Sequence, residues 1–269
     1  MCIRDRPDVA PVTKNNQFIF DFGAYAGQGY GLQYGYSHYA VHTPNNFGGV
    51  FSTRIAHGRQ TQSTLLRYAI DFGASQALYV DGSSASTYNS AIATTALSAA
   101  EIAESSTHTG GFGSGPFTIG HQCKTSLLTS NGGRRLDGSL PELIGYSRQL
   151  STNETSRIES YLAVKYGMTL NNSGGGTEGD YLATNSSTIW DASVTAGYHN
   201  DVIGIGRDDA EALLQKQSHT MDDTTRVYIS TLASDNASNG GSLTSDVSYV
   251  LTGHDEGKMC ATFASLSEM

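Results

Sequence analysis

Residues 201–211, DVIGIGRDDAE, place two glycines and an arginine beside three carboxylates in four residues. Glycines near charged groups occur in phosphate-binding loops, and clustered carboxylates occur in acid–base and metal sites. A dinucleotide-binding loop needs the pattern G-x-G-x-x-G at the start of a helix, because its third glycine allows close packing. Asp209 stands where that third glycine would be, and a carboxylate repels phosphate. The stretch therefore does not predict a phosphate-binding loop.

Two carboxylate pairs have the i, i+2 spacing that would place both side chains on one face of a strand. They are Asp209 with Glu211, and Glu178 with Asp180 in a glycine-rich stretch. Retaining glycosidases use two carboxylates about 5 Å apart as nucleophile and acid. Aspartate also caps turns through local hydrogen bonds. We interpret both pairs as turn carboxylates and predict no catalytic residue.

Signatures of nucleophilic and metal-dependent chemistry are incomplete in this sequence. Ser114, in GFGSGPF, lacks the G-x-S-x-G register of a nucleophile elbow. His38 and His42 are four residues apart but lack the glutamate of the H-E-x-x-H zinc motif. Calcium is a stronger alternative, because GRDDAE, MDDT and GHDEG offer clustered oxygen ligands. None of these segments has the spacing of an EF-hand loop, so calcium binding and turn capping both stay open.

The composition indicates a β-rich protein with many turns. Glycine accounts for 31 residues, and only 15% of the residues are charged. The formal net charge is −9 and no run of Lys and Arg occurs, which excludes nucleic acid as a partner. No segment approaches the roughly 20 apolar residues of a transmembrane helix.

Short segments rich in aromatic and β-branched residues, separated by Gly, Ser or Asp-Gly, predict strands. Asp81-Gly82 predicts a tight turn, and Ser98 and Glu101 at capping-box spacing predict a short helix over residues 97–104. The predicted strands include QFIFDFG, GYGLQYGY, STLLRYAIDFG, QALYVDG, FTIG, DVIGIG, TRVYIST and VSYVLTG.

A longer helix is predicted over residues 151–166. Ser151 as the N-cap and Glu154 three residues later form a capping box, and Gly167 follows as the terminating glycine. The residues that recur on one face at helical spacing are Ile158, Tyr161, Leu162 and Lys165.

Residues 137–170 resemble the end of a LamG-like, concanavalin A-like jelly-roll domain. DGSLPELIGY, residues 137–146, is similar to the closing strand of that family, D-G-x-[ILV]-x-E-[ILV]-[ILV]-x-Y. LSTNETSRIESYLAVKYG is similar to the helix that follows such domains in large bacterial surface proteins, and QALYVDGSSAST and FTIG resemble two further strands. The resemblance covers roughly residues 17–168 and lacks the first strands of the family. It implies an all-β jelly-roll β-sandwich with a C-terminal helix, followed by a second β-rich module.

Residues 179–218 are similar to an uncharacterised region that often follows the LamG-like domain in those proteins. Its hallmark, Y-x-N-D-[IV]-x-G-I-G-R-D-D, has no assigned chemistry and extends here from Tyr198 to Asp209. We interpret DVIGIG as a buried strand in which Gly204 and Gly206 permit close backbone approach. We expect Arg207 to bridge a nearby carboxylate in a turn. The candidate carboxylates for that bridge are Asp201, Asp208 and Asp209.

The domain prediction has three parts. Residues 1–6, MCIRDR, resemble the translation of a sequencing-library adapter and are predicted to be non-native. Residues 7–168 are predicted to form an N-terminally incomplete LamG-like sandwich ending in the helix 151–166, and residues 169–269 a truncated β-rich module. Outside the adapter-like segment the cysteines are Cys123 and Cys260. They could pair in an oxidising compartment, and the absence of a CxxC spacing excludes a metal site of that type; we favour free cysteines.

The resemblance implies a non-catalytic module of a large secreted or cell-surface bacterial protein, used in adhesion or carbohydrate binding. Its partner would be a glycan or another surface protein, with calcium as an open cofactor. A structural spacer without a ligand is the alternative. A glycoside hydrolase is disfavoured, because glucanases with this fold use the motif E-x-D-x-x-E, which this chain lacks. The tyrosines that could stack on a sugar, or pack in the core instead, are Tyr30, Tyr34, Tyr36 and Tyr39.

Overall fold

The structure, a computed structural model, describes the chain in segments. In the strands near the N-terminus it describes the backbone throughout and the side chains at some positions. The described residues are 2–4, 17–22, 30–34, 38–42, 53–56, 63–71, 75–82, 93–96, 117–120, 136, 138–170, 179–221 and 223–255.

The described strands before residue 143 form two antiparallel five-stranded sheets. These strands are β1 (Cys2–Arg4), β2 (Gln17–Phe22), β3 (Tyr30–Tyr34), β4 (His38–His42), β5 (Thr53–Ala56), β6 (Thr64–Asp71), β7 (Ser75–Val80), β8 (Ala93–Ala96), β9 (Phe117–Ile119) and β10 (Ser139–Glu142). One sheet has the order β10-β1-β6-β7-β8 and the other the order β5-β4-β3-β2-β9. Phe20 of the second sheet lies 6.4 Å from Tyr68 of the first, measured between ring centroids.

The turn predicted at Asp81-Gly82 follows β7. Both residues have positive φ, 51° and 78°, a region that Asp tolerates and Gly enters freely. The Asp81 carboxylate accepts a hydrogen bond from the Leu65 amide at 2.8 Å, and the Asp81 amide donates to the Leu65 carbonyl at 2.8 Å. The turn therefore fastens the end of β7 to β6.

The predicted long helix is confirmed as α1 (Thr152–Tyr166). The Ser151 hydroxyl accepts a hydrogen bond from the Glu154 amide at 3.3 Å, and the Glu154 carboxylate accepts one from the Ser151 amide at 2.9 Å. Gly167 ends the helix with φ of 63°. A Cβ at this position would lie 2.5 Å from the His219 carbonyl oxygen, so a glycine is required there.

The buried face of α1 is rotated relative to the predicted one. Ile158 and Tyr161 are only partly buried, and Lys165 forms an ion pair. Leu162 is the residue that the two faces share. Periodicity of apolar residues could not predict this face because two of its members are polar. The buried helix residues are Glu159, Ser160, Leu162, Ala163 and Val164.

The strands after α1 form three small antiparallel sheets, with the orders β11-β12, β14-β13-β17 and β15-β16. Strand β13 contains the predicted strand DVIGIG and lies at the centre of its sheet. Short 3₁₀ turns at Ala196–Tyr198 and Asp209–Glu211 flank it. The strands are β11 (Tyr181–Leu182), β12 (Thr188–Trp190), β13 (Asn200–Asp208), β14 (Leu213–Gln215), β15 (Gln217–His219), β16 (Arg226–Tyr228) and β17 (Ser248–His254).

A hydrophobic cluster joins α1 to strands on both sides of it in the sequence. Its buried members are Leu65, Leu162, Ala163, Val164, Met168, Leu170, Tyr181, Val202 and Leu213. Full burial of one large apolar side chain contributes about 1.5–3 kcal/mol to folding. Because Leu65 comes from β6 and Val202 from β13, α1 contributes to the cores of both regions.

Two polar contacts also tie α1 to the N-terminal strands. Arg67 of β6 donates to the buried Glu159 carboxylate at 2.8 Å, and its guanidinium carbon lies 3.3 Å from the centroid of the Tyr79 ring. Burial raises the pKa of Glu159, and the charge of Arg67 opposes that shift. Toward the other end of the helix, the Lys165 ammonium lies 2.9 Å from the Glu142 carboxylate of β10.

The chain is β-rich, with small antiparallel sheets and one described α-helix. Residues 97–104, Cys123 and Cys260 lie outside the described residues. Strand β1, within the segment predicted to derive from an adapter, pairs with β6 and β10; its non-native origin and the three-part domain division stay predictions. Among the described residues, no helix has the length and apolar character needed to cross a membrane.

We predict that Arg67→Met destabilises the protein far more than Arg148→Met does. Without Arg67 the Glu159 carboxylate stays buried and unpaired, which costs about 3–5 kcal/mol. Arg148 pairs with Glu154 on the same helix, but that pair is exposed and contributes little. Urea unfolding of both variants measures the difference.

The double variant Arg67→Met/Glu159→Gln separates lost charge pairing from lost packing. We expect it to recover part of the stability, because it removes the unpaired charge. Equal losses in Arg67→Met and Arg148→Met would contradict the role assigned to the buried pair.

Candidate functional site

Asp208, at the end of β13, is fully buried. Its carboxylate accepts hydrogen bonds from the Thr184 hydroxyl at 2.5 Å, from the Thr184 amide at 3.0 Å and from the Tyr249 hydroxyl at 3.0 Å. This is the acceptor-only role of an ionised carboxylate. Asp208 therefore joins the turn after β11 to β17, and strand alternation places it on the face opposite to Arg207.

Gly204 and Gly206 allow β17 to lie close against β13. Gly206 pairs with Tyr249, and a Cβ at position 206 would overlap the tyrosine ring. A Cβ at position 204 would lie 2.8 Å from the Val250 carbonyl oxygen. The absence of a side chain at position 206 lets the Tyr249 ring lie over β13 and reach Asp208, and the absence of one at position 204 leaves room for the backbone of β17.

Arg207 grips the neighbouring turn. Its Nε and one terminal nitrogen donate to the two carboxylate oxygens of Asp209, each at 2.8 Å. The other terminal nitrogen donates to the carbonyls of Leu243 at 3.1 Å and Thr244 at 3.3 Å. These bonds from Arg207 lower the pKa of Asp209. Of the three carboxylates expected near Arg207, Asp209 is the one that it binds.

Asp209 and Glu211 lie in a 3₁₀ turn. They therefore do not share a strand face, which their i, i+2 spacing would give them on a strand. Glu211 is half-buried. Burial and the nearby charge of Asp208 raise its pKa to about 7, and Arg157 of α1 opposes the shift. Arg157 donates to the Thr184 carbonyl at 2.6 Å.

Hydrogen bonds connect Arg157, Thr184, Asp208 and Tyr249 at one end of β13, and Glu211 lies in the 3₁₀ turn that follows Asp208. We refer to these five residues as the Asp208 cluster. The arrangement joins α1, the turn after β11, β13, the 3₁₀ turn and β17. Its carboxyl groups can accept hydrogen bonds, and Glu211 can exchange a proton near neutral pH. The members are Arg157, Thr184, Asp208, Glu211 and Tyr249.

Asp201 and His254 connect the other end of β13 to β17. Asp201 has φ of 47°, where the register of the two strands shifts. Its carboxylate lies 2.6 Å from Nε2 of His254, and the Asn200 side chain donates to the His254 carbonyl at 3.1 Å. Asp201 therefore connects the ends of two strands, and its carboxylate pairs with His254, whereas Arg207 binds Asp209.

A Trp190–His199 contact was missed by sequence reasoning. The Trp190 Nε1 donates to Nδ1 of His199 at 2.9 Å, and Nε2 of His199 lies 2.7 Å from the Leu170 carbonyl oxygen. Because indole nitrogen only donates, Nδ1 must accept and Nε2 must carry the proton. The ring is therefore a neutral imidazole. The signal available in the sequence was that His199 lies inside the hallmark, nine residues after the single tryptophan of the chain.

Several other predicted candidates have local partners or lie outside the description. Asp180 accepts a hydrogen bond from the Ala192 amide at 2.8 Å. Asp223 of MDDT pairs with Arg226 at 2.5 Å. Within the described part of the chain, no three His, Cys, Asp or Glu residues are grouped so as to hold a metal ion. Ser114 and Glu178 are outside the described residues.

The candidate tyrosines lie in the sheet that contains β3 and β4. Tyr34 pairs with Tyr39, and Leu32 pairs with Phe20, which is buried. Since paired positions share a face, positions 30, 34 and 39 lie on the face that also carries position 20. The side chains of Tyr30, Tyr34 and Tyr39, like those of His38 and His42, are not described, and Tyr36 lies outside the described residues.

Residues 154–268 match a family described as a domain of unknown function (DUF8202). The DUF8202-like region begins inside α1 and contains the whole Asp208 cluster. No LamG-like family match accompanies it. Comparisons with curated proteins and with solved structures found no match.

We predict that Gly206→Ala destabilises the protein by about 1–3 kcal/mol, the usual cost of overfilling a packed site. The new methyl group would displace the Tyr249 ring and break its bond to Asp208. Gly197→Ala is the matched control, because nothing lies within 4 Å of a Cβ there. Thermal unfolding checks both variants, and equal melting temperatures would refute the close-approach role.

We also predict that Arg207→Ala lowers the melting temperature. The change releases Asp209 and the carbonyls of Leu243 and Thr244, which the guanidinium holds together. Arg226→Ala is the control, because Arg226 pairs with Asp223, which is three residues away in the sequence, and both side chains are exposed. A melting temperature unchanged by Arg207→Ala would show that the bridge contributes nothing.

Proposed function

We propose that the chain is a non-catalytic module of a large secreted or cell-surface bacterial protein, used in adhesion or carbohydrate binding. The proposal that the module is non-catalytic is supported by the contacts of the hallmark carboxylates. Asp208 binds Thr184 and Tyr249, Asp209 binds Arg207, and Asp201 contacts His254. A catalytic acid or nucleophile must be free to reach a substrate. These carboxylates instead hold segments of the fold together.

In this proposal the strands before α1 form the LamG-like jelly-roll sandwich and carry the ligand-binding face. Two five-stranded antiparallel sheets in contact near Phe20 and Tyr68 are compatible with such a sandwich. The candidate sugar platform is formed by the tyrosine positions 30, 34 and 39. They share a face with Phe20, which is buried and contacts the other sheet, so packing in the core is the competing role for these tyrosines. A glycan or another surface protein would be the partner, with calcium as a candidate cofactor.

The alternative is a structural spacer without a ligand, and one observation favours it. The buried cluster around α1 contains residues from strands before and after the helix, and Arg67–Glu159 and Lys165–Glu142 reinforce it. A core shared by strands before and after α1 is expected in a rigid unit that fixes the orientation of the neighbouring parts of the protein. A shared core is equally compatible with a binding module, so ligand binding decides between the two.

We predict that the folded protein binds a coherent class of sugars on a glycan array, and that a calcium chelator reduces the binding. Tyr34→Ala/Tyr39→Ala should abolish binding without lowering the melting temperature if the shared face is the platform. A lower melting temperature would assign these tyrosines to the core. Tyr146→Ala is the control, because Tyr146 is exposed and outside the β3–β4 face.

Three other outcomes would change the proposal. Binding that persists in the chelator would remove calcium from it. The absence of binding by folded protein in both conditions would replace the binding module with the spacer. Release of reducing sugar from laminarin would overturn the non-catalytic assignment.

A further inference from the structure

Both ring nitrogens of His199 are hydrogen-bonded, and their two partners require opposite roles of them. The Trp190 indole, which can only donate, places its Nε1 2.9 Å from Nδ1 of His199. The Leu170 carbonyl oxygen, which can only accept, lies 2.7 Å from Nε2. The ring must therefore accept at one nitrogen and donate at the other. We refer to Leu170, Trp190 and His199 as the His199 relay.

The His199 relay joins segments that are far apart in the sequence. Leu170 follows α1, Trp190 is the last residue of β12, and His199 immediately precedes β13. Strand β17 packs against the relay at Gly253, where a Cβ would lie 3.2 Å from the Trp190 ring and would overlap the Tyr198 carbonyl oxygen. A change in the position of the indole therefore acts on β17 as well as on β12.

We infer that the His199 relay is a proton-dependent contact, in which a second proton on His199 breaks its bond to Trp190 and leaves its bond to Leu170 intact. A protonated imidazole carries a hydrogen on both ring nitrogens. The hydrogen on Nδ1 would then face the indole N–H, and two donors cannot stay 2.9 Å apart. Nε2 carries its hydrogen in both states and keeps donating to the Leu170 carbonyl. The inference does not depend on the proposed binding function.

The two states of the relay differ in what they connect. With a neutral ring, β12 is bonded through His199 to the segment that follows α1. With a protonated ring, His199 stays on that segment and β12 is released from it. Trp190 is only partly buried, so water can accept the hydrogen bond of the released indole. Histidine is the side chain whose charge ordinarily changes between pH 5 and 8, which sets the range in which the exchange is sought.

Asp180, which precedes β11, is the carboxyl on which the charge of a protonated His199 acts. Burial raises the pKa of Asp180, and the hydrogen bond from the Ala192 amide and the charge of His199 oppose that shift. Attraction between opposite charges is mutual. The Asp180 carboxylate therefore stabilises the charge that His199 acquires when the indole is released.

The other ionisable groups around the relay belong to β11, to the turn after β12 and to the facing ends of β13 and β17. The Tyr181 ring meets the His199 ring edge-on with centroids 6.5 Å apart, and burial raises the pKa of its hydroxyl, which stays neutral. Hydrogen bonds from Ser193 and Val194 lower the pKa of Asp191, which stays ionised. Asp201 and His254 pair at 2.6 Å. His254 also titrates, so the test must separate it from His199.

The first experiment follows the indole N–H of Trp190 by NMR between pH 8 and pH 5. Trp190 is the single tryptophan of the chain, so this group gives one signal. We expect the wild-type signal to move upfield in one transition as the hydrogen bond to His199 is lost. In His199→Gln the signal should stay constant, because glutamine offers one acceptor and one donor and does not titrate. His254→Gln, which keeps His199, should behave as the wild type does.

Three results of this experiment would overturn the inference. They are a wild-type indole signal that stays constant from pH 8 to pH 5, the same transition in His199→Gln, and loss of the transition in His254→Gln. A transition that coincides with the loss of far-UV circular dichroism would also overturn it, because the proposed change is local.

The second experiment needs only the wild-type protein and holds even if a variant fails to fold. The ring nitrogen signals of His199 are assigned through their proximity to the single indole hydrogen. We expect Nδ1 to be unprotonated and Nε2 protonated at pH 8, and both to be protonated at pH 5. The protonation of Nδ1 should follow the same pH dependence as the indole signal. A ring that stays neutral to pH 5, or that is protonated without a change in the indole signal, would refute the proton-dependent contact.

Discussion

The burial of one face of α1 against strands that precede and follow it is the constraint on which the described structure depends. Leu162, Ala163 and Val164 fill a cluster closed by Leu65 on one side and Val202 on the other. The face also buries Glu159, whose charge would be unfavourable without Arg67. The position of α1 therefore determines where β6 and β13 pack. Strand β13 in turn positions Arg207 and Asp208, two of the residues whose types suggested chemistry in the sequence.

Local signals in the sequence were sufficient for the helix ends and for eight of the 17 described strands. The capping box of Ser151 and Glu154 and the terminating Gly167 are read from residues within one turn of the helix. The buried face could not be predicted in the same way, because Arg67, which makes the burial of Glu159 possible, lies 92 residues from it. The jelly-roll assignment stays a proposal for a related reason: short antiparallel strands are compatible with several sheet arrangements.

The hallmark residues illustrate the same division between local and long-range information. Strand alternation places Asp208 on the face of β13 opposite to Arg207, where it is buried. Asp209 lies in the following 3₁₀ turn and binds Arg207. Two adjacent aspartates therefore have different roles. Asp208 is buried because Tyr249, 41 residues away, crosses above Gly206 to meet it. The sequence indicates that another segment of backbone packs closely against Gly204 and Gly206. It does not indicate that this segment is β17. The Trp190–His199 contact likewise depends on Leu170, 29 residues from the histidine.

A polar cluster at this position is not explained by stability alone. Buried ionic groups often contribute less than well-packed apolar residues of the same volume would. Asp208 instead specifies geometry. The three hydrogen bonds that it accepts are compatible with one position of the turn after β11 and one orientation of the Tyr249 ring. An apolar residue would accept a range of placements. The buried carboxylate therefore makes the packing at this end of β13 specific.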